Sequence, residues 1–258
     1  MSLTELRAQR AHACRLTRDR ALRSLDEAEG FLRDRRILTL VADSALPSLF
    51  GAIHEEGLPG KSGFGSWPKT KWPWGGELAS RPGVRTLKIH VGKLVFLTPE
   101  ALSIVDPLCR EALAQAEDGS EGEVAAAFAR HLAAAGPSSL DDLKAELDLE
   151  PRTLRSAREK LERVGAVVSR GTVVPAEGAG HRHSSELARW DQVHGVRRKV
   201  SPAAALEDLI ALGVRAAVVA HEDEARKWFS WPVERDVIAR LLASGRLRRA
   251  GPGWLAAP

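Results

Sequence analysis

The stretch from Glu123 to Pro175 admits few folds, because three helical patterns follow one another there with a stop and a start signal at each boundary. The first runs from Glu123 to about Ala135 and stops at Gly136-Pro137. The second begins after Ser139, with Asp142 three residues on as a weak form of the capping box. It ends near Leu147. Pro151 opens the third, at the one helical position where a missing N–H costs nothing. Gly165 closes it as the residue beyond the C-cap. Two β-rich runs follow, Ala166 to Ser169 and Thr172 to Val174, and the sequence predicts a tight Arg170-Gly171 turn between them.

The third helix has two faces. Leu154, Ala157, Leu161 and Val164 recur at spacings of three and four and share one side. Arg152, Thr153, Arg155, Ser156, Glu159 and Arg163 occupy the others. Three helices closed by a hairpin predict a winged helix-turn-helix over 123–175, with the hairpin as wing. The helix after the turn in such modules enters the major groove. Arg and Ser/Thr donate to guanine acceptors and phosphate oxygens, so Arg152, Thr153, Arg155, Ser156 and the wing residue Arg170 are candidate DNA contacts. The alternatives are a solvated basic face and a protein-docking module.

Charge distribution supports a polyanionic partner. The chain of 258 residues carries a net charge of +4. Residues 152–199 hold eleven Lys/Arg against five Asp/Glu. Hydrophobic and charged fractions of 44% and 28% are those of an ordinary soluble protein with room for two or three small domains. No stretch reaches the length of a transmembrane helix, and the N-terminus lacks an apolar signal core. Cys14 and Cys109 fit neither a disulfide framework nor a zinc pattern. The expectation is a cytoplasmic, nucleoid-associated protein with no membrane partner, no cofactor and no metal.

The same punctuation recurs elsewhere. Residues 222–257 run through a helix to Ser230-Trp231, a helix from Pro232 to Gly245, and a hairpin through Gly251-Pro252-Gly253. At the other end, a helix starting at Thr17 parallels one starting at Ser201. Each leads into a β-rich run, Ile37–Val41 or Ala216–Ala220, and then into a further helix around Leu46–His54 or Glu222–Phe229. Residues 86–91 and 94–97 flank Gly92-Lys93 as a hairpin, and a helix from Pro99 to about Gln115 leads to the acidic linker 117–122. The expected architecture is α+β and helix-rich, with three tandem winged helix-turn-helix modules. They occupy 1–116, with a Trp/Lys-rich insertion, then 123–175 and 186–258. A Gly- and His-containing linker is expected over Pro175–Ser185.

Several motifs compete as sites of chemistry. Gly60-Lys61-Ser62 looks like the end of a P-loop, but Glu55 stands where the first glycine is needed. Trp67, Trp72 and Trp74 interleave with Lys69 and Lys71, a composition suited to base stacking and phosphate contact; the competing reading has the tryptophans pinning a loop to the core. Lys93 at the first hairpin turn and the run Arg197-Arg198-Lys199 are further phosphate candidates. His181 and His183, with His194 beyond, lack the additional ligands a metal needs. His90 is either a DNA contact or an ordinary strand residue. No catalytic constellation is evident.

Ala45–Ile53, the Trp/Lys segment from Trp67, Val91–Thr98, the module from His131 to Val168, and the ending Ala217–Ala220 with Gly245-Arg246-Leu247 together resemble the AlkZ/YcaQ superfamily, in particular its divergent AlkZ-related branch. That resemblance implies tandem winged helices, DNA association, and action on alkylated or crosslinked DNA. The superfamily's glycosylases carry Gln-x-Gln or Gln-x-Asp. Here the only glutamines are Gln9, Gln115 and Gln192, and none has Gln or Asp two places on. The leading expectation is therefore a duplex-DNA-binding protein acting on damaged or distorted DNA. A divergent glycosylase, a transcription regulator and a protein-interaction scaffold are the alternatives.

Overall fold

The computed structural model describes residues 1–57, 67–175, 181–195 and 197–258. Among these residues the fold is α+β, with three small antiparallel sheets of three strands each. In all three the strand first in sequence pairs with the third, and the third with the second.

Each unit that carries a sheet opens with a helix and a strand and closes with a hairpin; between them the described residues hold one helix in the first unit and two in the second and third. In the first, α2 (Leu25–Arg35) leads to β1 (Ile37–Thr39), then α3 (Trp74–Ala79) and the hairpin β2 (Arg85–His90) and β3 (Lys93–Leu97). In the second, α5 (Glu123–Ala135) leads to β4 (Ser138–Ser139), α6 (Leu140–Leu147), α7 (Pro151–Arg163), β5 (Val167–Pro175) and β6 (His181–Arg189). In the third, α9 (Pro202–Ala217) leads to β7 (Val219–His221), α10 (Glu222–Ala225), α11 (Val237–Ala243), β8 (Arg248–Gly251) and β9 (Trp254–Ala256).

Local chemistry repeats with the topology. Gly165 and Gly245, at φ +70° and +69°, each follow the C-cap of the helix before a hairpin. Ala166 N–H donates to Leu161 O at 3.0 Å and Gly165 N–H to Glu162 O at 3.1 Å; Arg246 with Leu241 and Gly245 with Leu242 repeat both bonds. These are two Schellman motifs, which satisfy carbonyls the helix end would leave orphaned. Between the first helix and first strand of each unit the chain also reverses through a positive φ, at Arg36, Gly136 and Val218. Only the middle unit uses glycine there, so only its stop is written plainly in the sequence. Val218, β-branched at φ +69°, holds a conformation that costs on the order of 1–3 kcal/mol.

Two helices bind the units together. α4 (Pro99–Glu117) is capped by Thr98, with Pro99 at its first position. Val105, Leu108, Cys109, Ala112 and Ala116 line its buried face, in one core with Phe128 and Leu132 of α5, Leu161 of α7, and Leu209 and Ile210 of α9. α1 (Leu3–Ala13) starts in a capping box of Ser2 and Glu5 and crosses to the far end of the chain. There Leu6 packs with Val219 and Ala256, and the Arg7 guanidinium lies 4.6 Å from the Trp254 ring centre.

Several boundaries depart from the sequence reading. Arg170 and Gly171 do not turn; they lie mid-strand in β5, paired with Glu186 and Ser185. The hairpin is longer, and His181–Ser185 form its return strand where a linker was expected, because the β-branched run after Gly171 continues the ladder. The second unit accordingly extends to α8 (Trp190–Val193). The helix expected at Thr17 is a short 3-10 turn at Arg18–Arg20, and α2 is capped by Ser24, whose side chain accepts from Glu27 N–H. Residues 46–54 form turns, not a helix. Pro232 does not open α11, which begins at Val237. The first hairpin turns through Val91-Gly92, both at positive φ, with Lys93 already in β3.

Candidate nucleic-acid interface

α7 presents the faces its spacing predicts. Leu154, Ala157 and Leu161 are buried, and Arg152, Thr153, Arg155 and Ser156 are exposed. Its two ends meet different surroundings. Near the C-terminus Glu162 is 3% exposed, and it accepts from Lys88 of β2 at 2.7 Å and from Arg158 at 3.2 Å. This half of the helix is docked on the first unit. The N-terminal half stays open beside a groove of about 590 Å³ lined by Arg152, Thr153 and Ser156. Glu121 and Glu123 also line that groove, and Lys160 pairs with Glu121 at 2.8 Å. Arg155 is not among the lining residues. The groove thus has mixed charge.

Arg170 goes elsewhere. With the turn replaced by a continuous strand, it lines a cleft of about 640 Å³ between the first and second units. Arg81, Arg85 and Thr86 form one wall, and Ser169, Arg170 and His194 the other. Arg81 is paired with Asp26 at 2.7 Å. Arg85 and Arg170 are exposed and make no ion pair among the described residues. None of the cleft's described lining residues is a carboxylate.

His194 reports the field in this cleft. Its ring stands 4.0 Å from that of Trp190, which is fully buried, and its carbonyl accepts from Arg110 at 2.7 Å. Burial first, then Arg85, Arg170 and Arg110, depress its pKa to about 4 against the opposing pull of Asp106. The ordinary value is 6.5. Between these two pH values the unfolded chain binds more protons than the folded one, so stability falls as pH drops through that window. The loss is on the order of 1–2 kcal/mol, discounted because the ring is only partly buried. His194→Phe keeps a ring against Trp190 and is expected to flatten this slope in urea midpoints taken from pH 7 to pH 4. An unchanged slope in the variant assigns the effect to other groups.

Beside the cationic cleft lies an apolar one. Leu40, Phe50, Trp67, Trp72, Gly75 and Leu94 line a pocket of about 760 Å³. Trp67 meets Phe50 edge-on at 5.6 Å, and Trp67 and Trp74 pack on the first unit's core. Trp72 is 50% exposed. The tryptophans of the Trp/Lys segment therefore divide, two pinning the segment and one remaining open. Gly76, Ala79, Ser80 and Thr86 border both pockets, so the two are adjacent.

The remaining candidate cations divide as well. Lys69 and Arg197 are exposed. Lys71 pairs with Glu55 at 3.2 Å and lies 5.2 Å from the Trp74 ring centre. Lys93 pairs with Asp43, whose second oxygen meets His90 at 3.1 Å. Burial works against the Asp43 carboxylate, yet Lys93 and His90 together hold its pKa below the usual range. His90 is buried, with its other ring nitrogen against Trp228 O, so it joins the first and third units and does not face outward. Arg198 pairs with Asp208. Gly60-Lys61-Ser62 lies outside the described residues. His181 and His183 fall in β6. Among the described residues no group of three or more His, Cys, Asp or Glu could hold a metal ion, and no helix is long and apolar enough to cross a membrane.

Arg81 and Arg85 escaped the sequence reading, which weighs His194 only as a metal ligand. No spacing signals them, because the cleft is assembled from β2, β5 and the end of α8, which are far apart along the chain. No protein-family model matches the chain, and neither a curated protein nor a solved structure matches it.

Proposed function

We propose that this chain is a DNA-binding protein of three tandem winged helices. Each unit has the helix, strand, helix and hairpin order of that fold, with its strands arranged first, third, second. α6 and α7 correspond to the helix-turn-helix of the middle module. One observation carries the functional reading: Arg85 and Arg170, contributed by two modules, face one cleft whose described lining contains no carboxylate. Guanidinium groups held this way donate to phosphate oxygens in pairs. The open end of α7, with Arg152, Thr153, Arg155 and Ser156, is the secondary contact, since Glu121 and Glu123 on its groove repel a phosphate backbone. Damaged or distorted duplex is the favoured substrate, because the docked C-terminal half of α7 leaves less of that helix to enter a regular major groove.

Duplex affinity should fall steeply with salt, as counterion release requires. Arg85→Ala with Arg170→Ala is expected to weaken duplex binding about tenfold or more near physiological salt and to reduce the slope of log K against log salt by about 2. Arg152→Ala with Arg155→Ala is expected to have the smaller effect. Fluorescence anisotropy of a labelled duplex across a salt series measures both. Undetectable binding at low salt sinks the DNA reading; binding indifferent to Arg85 and Arg170 sinks the assignment to this cleft.

A further inference from the structure

We infer that the paired pockets hold one unpaired nucleotide, with its base in the tryptophan pocket and its phosphate at Arg85 and Arg170; this rests on the DNA reading above. The two volumes, about 760 and 640 Å³, each fall within the range of small-ligand sites. They share Gly76, Ala79, Ser80 and Thr86 in their walls and so lie side by side, as a single ligand reaching into both requires. Their chemistry is divided. The first is lined by Leu40, Phe50, Trp67, Trp72 and Leu94, and its one described carboxylate is Glu77. The second carries the arginines and His194. A ligand that bridges them needs a flat apolar end and an anionic end, and Glu77 sets the polarity by keeping the anion at the arginine side.

A nucleotide satisfies both demands. Every base has a π-face that an aromatic side chain accepts without regard to sequence, and the attached phosphate reaches the cationic groove. A paired base presents no such face, because both are stacked in the duplex, so it must leave the stack. Trp72 is the residue available for this contact. Trp67 and Trp74 already pack on the core, whereas half of Trp72 faces solvent at the pocket. His194 lies at the phosphate end as a neutral ring among Arg85, Arg110 and Arg170, ready to donate or accept a hydrogen bond without adding a charge of its own.

The test compares three probes on the full-length protein: a matched duplex, the same duplex with one unpaired nucleotide, and a free deoxynucleoside monophosphate. The unpaired duplex is expected to bind about tenfold tighter than the matched one, and Trp72→Ala is expected to abolish most of that ratio, with Trp72→Phe retaining part of it. A second measurement needs no variant. With 5-iodouracil at the unpaired position, photocrosslinking of the unmodified protein is expected to attach to the peptide carrying Trp67 and Trp72. Equal affinity for matched and unpaired duplex, or a crosslink elsewhere, overturns the inference and leaves the DNA reading standing. Loss of binding to every DNA probe overturns both. A free monophosphate that binds as tightly as the unpaired duplex overturns the strand assignment and marks the site as one for a small nucleotide.

Discussion

Replacing Asp106 with alanine is expected to lower the unfolding free energy by about 3–5 kcal/mol, the cost of breaking a buried charge pair by removing one partner. Asp106 is 3% exposed, on the face of α4 turned to the second unit. One carboxylate oxygen accepts from Arg110 Nε at 2.9 Å and from Trp190 Nε1 at 2.8 Å, and the other accepts from the Arg198 backbone N–H at 3.1 Å. Alanine removes the acceptor of the Trp190 indole N–H, the Arg198 amide N–H and the Arg110 Nε–H where water has little access. The effect reaches the cleft, since Arg110 also holds the His194 carbonyl and Trp190 supports the His194 ring. Asp106→Asn falls between, because all three partners are donors and the amide supplies one acceptor oxygen. Equilibrium urea unfolding at constant m-value measures the loss. A change below about 1 kcal/mol for alanine contradicts the account.

Gly165→Ala is expected to cost about 2–4 kcal/mol, from two separable sources. The residue sits at φ +70°, which favours glycine, and a Cβ there would come within 2.5 Å of Cys109 Sγ and 3.7 Å of Ile89. The approach to Ile89 is ordinary contact, so the clash falls on the Cys109 sulfur, which is fully buried. The backbone term belongs to Gly165 alone, and the steric term needs the sulfur. Adding Cys109→Ala to Gly165→Ala should therefore recover part of the loss, while Cys109→Ala alone costs stability by leaving a small void. A double mutant no more stable than the sum of its singles predicts would remove the clash from the explanation. Gly165 closes the helix that the first unit docks against, so this close approach also sets how α7 lies relative to the cleft.

The parts of the fold that could be read from the sequence are those governed by near neighbours. The buried and exposed faces of α7 follow from spacings of three and four. Its ends follow from Pro151 and Gly165, and the capping of α6 follows from Ser139 and Asp142. The parts misread had signals whose meaning depends on a partner strand. Arg170-Gly171 has turn composition, yet it is held extended by pairing with Glu186 and Ser185. The reversal at Val218 carries no glycine to announce it, and its strain is borne by packing.

The site divides along the same line. Residue types alone pointed to a polyanion, and periodicity placed Arg152 and Arg155 on solvent-exposed positions, whereas Arg170 was assigned to a turn that the strand replaces. Which cations stay available was decided only in three dimensions. Lys71, Lys93 and Arg198 meet Glu55, Asp43 and Asp208 from distant segments, while Arg85 and Arg170 converge from two units onto a cleft without a carboxylate among its described lining residues. Local order along a chain is set by sterics and hydrogen bonds within a few residues. Charge pairing and cavities are set by which distant segments the core draws together.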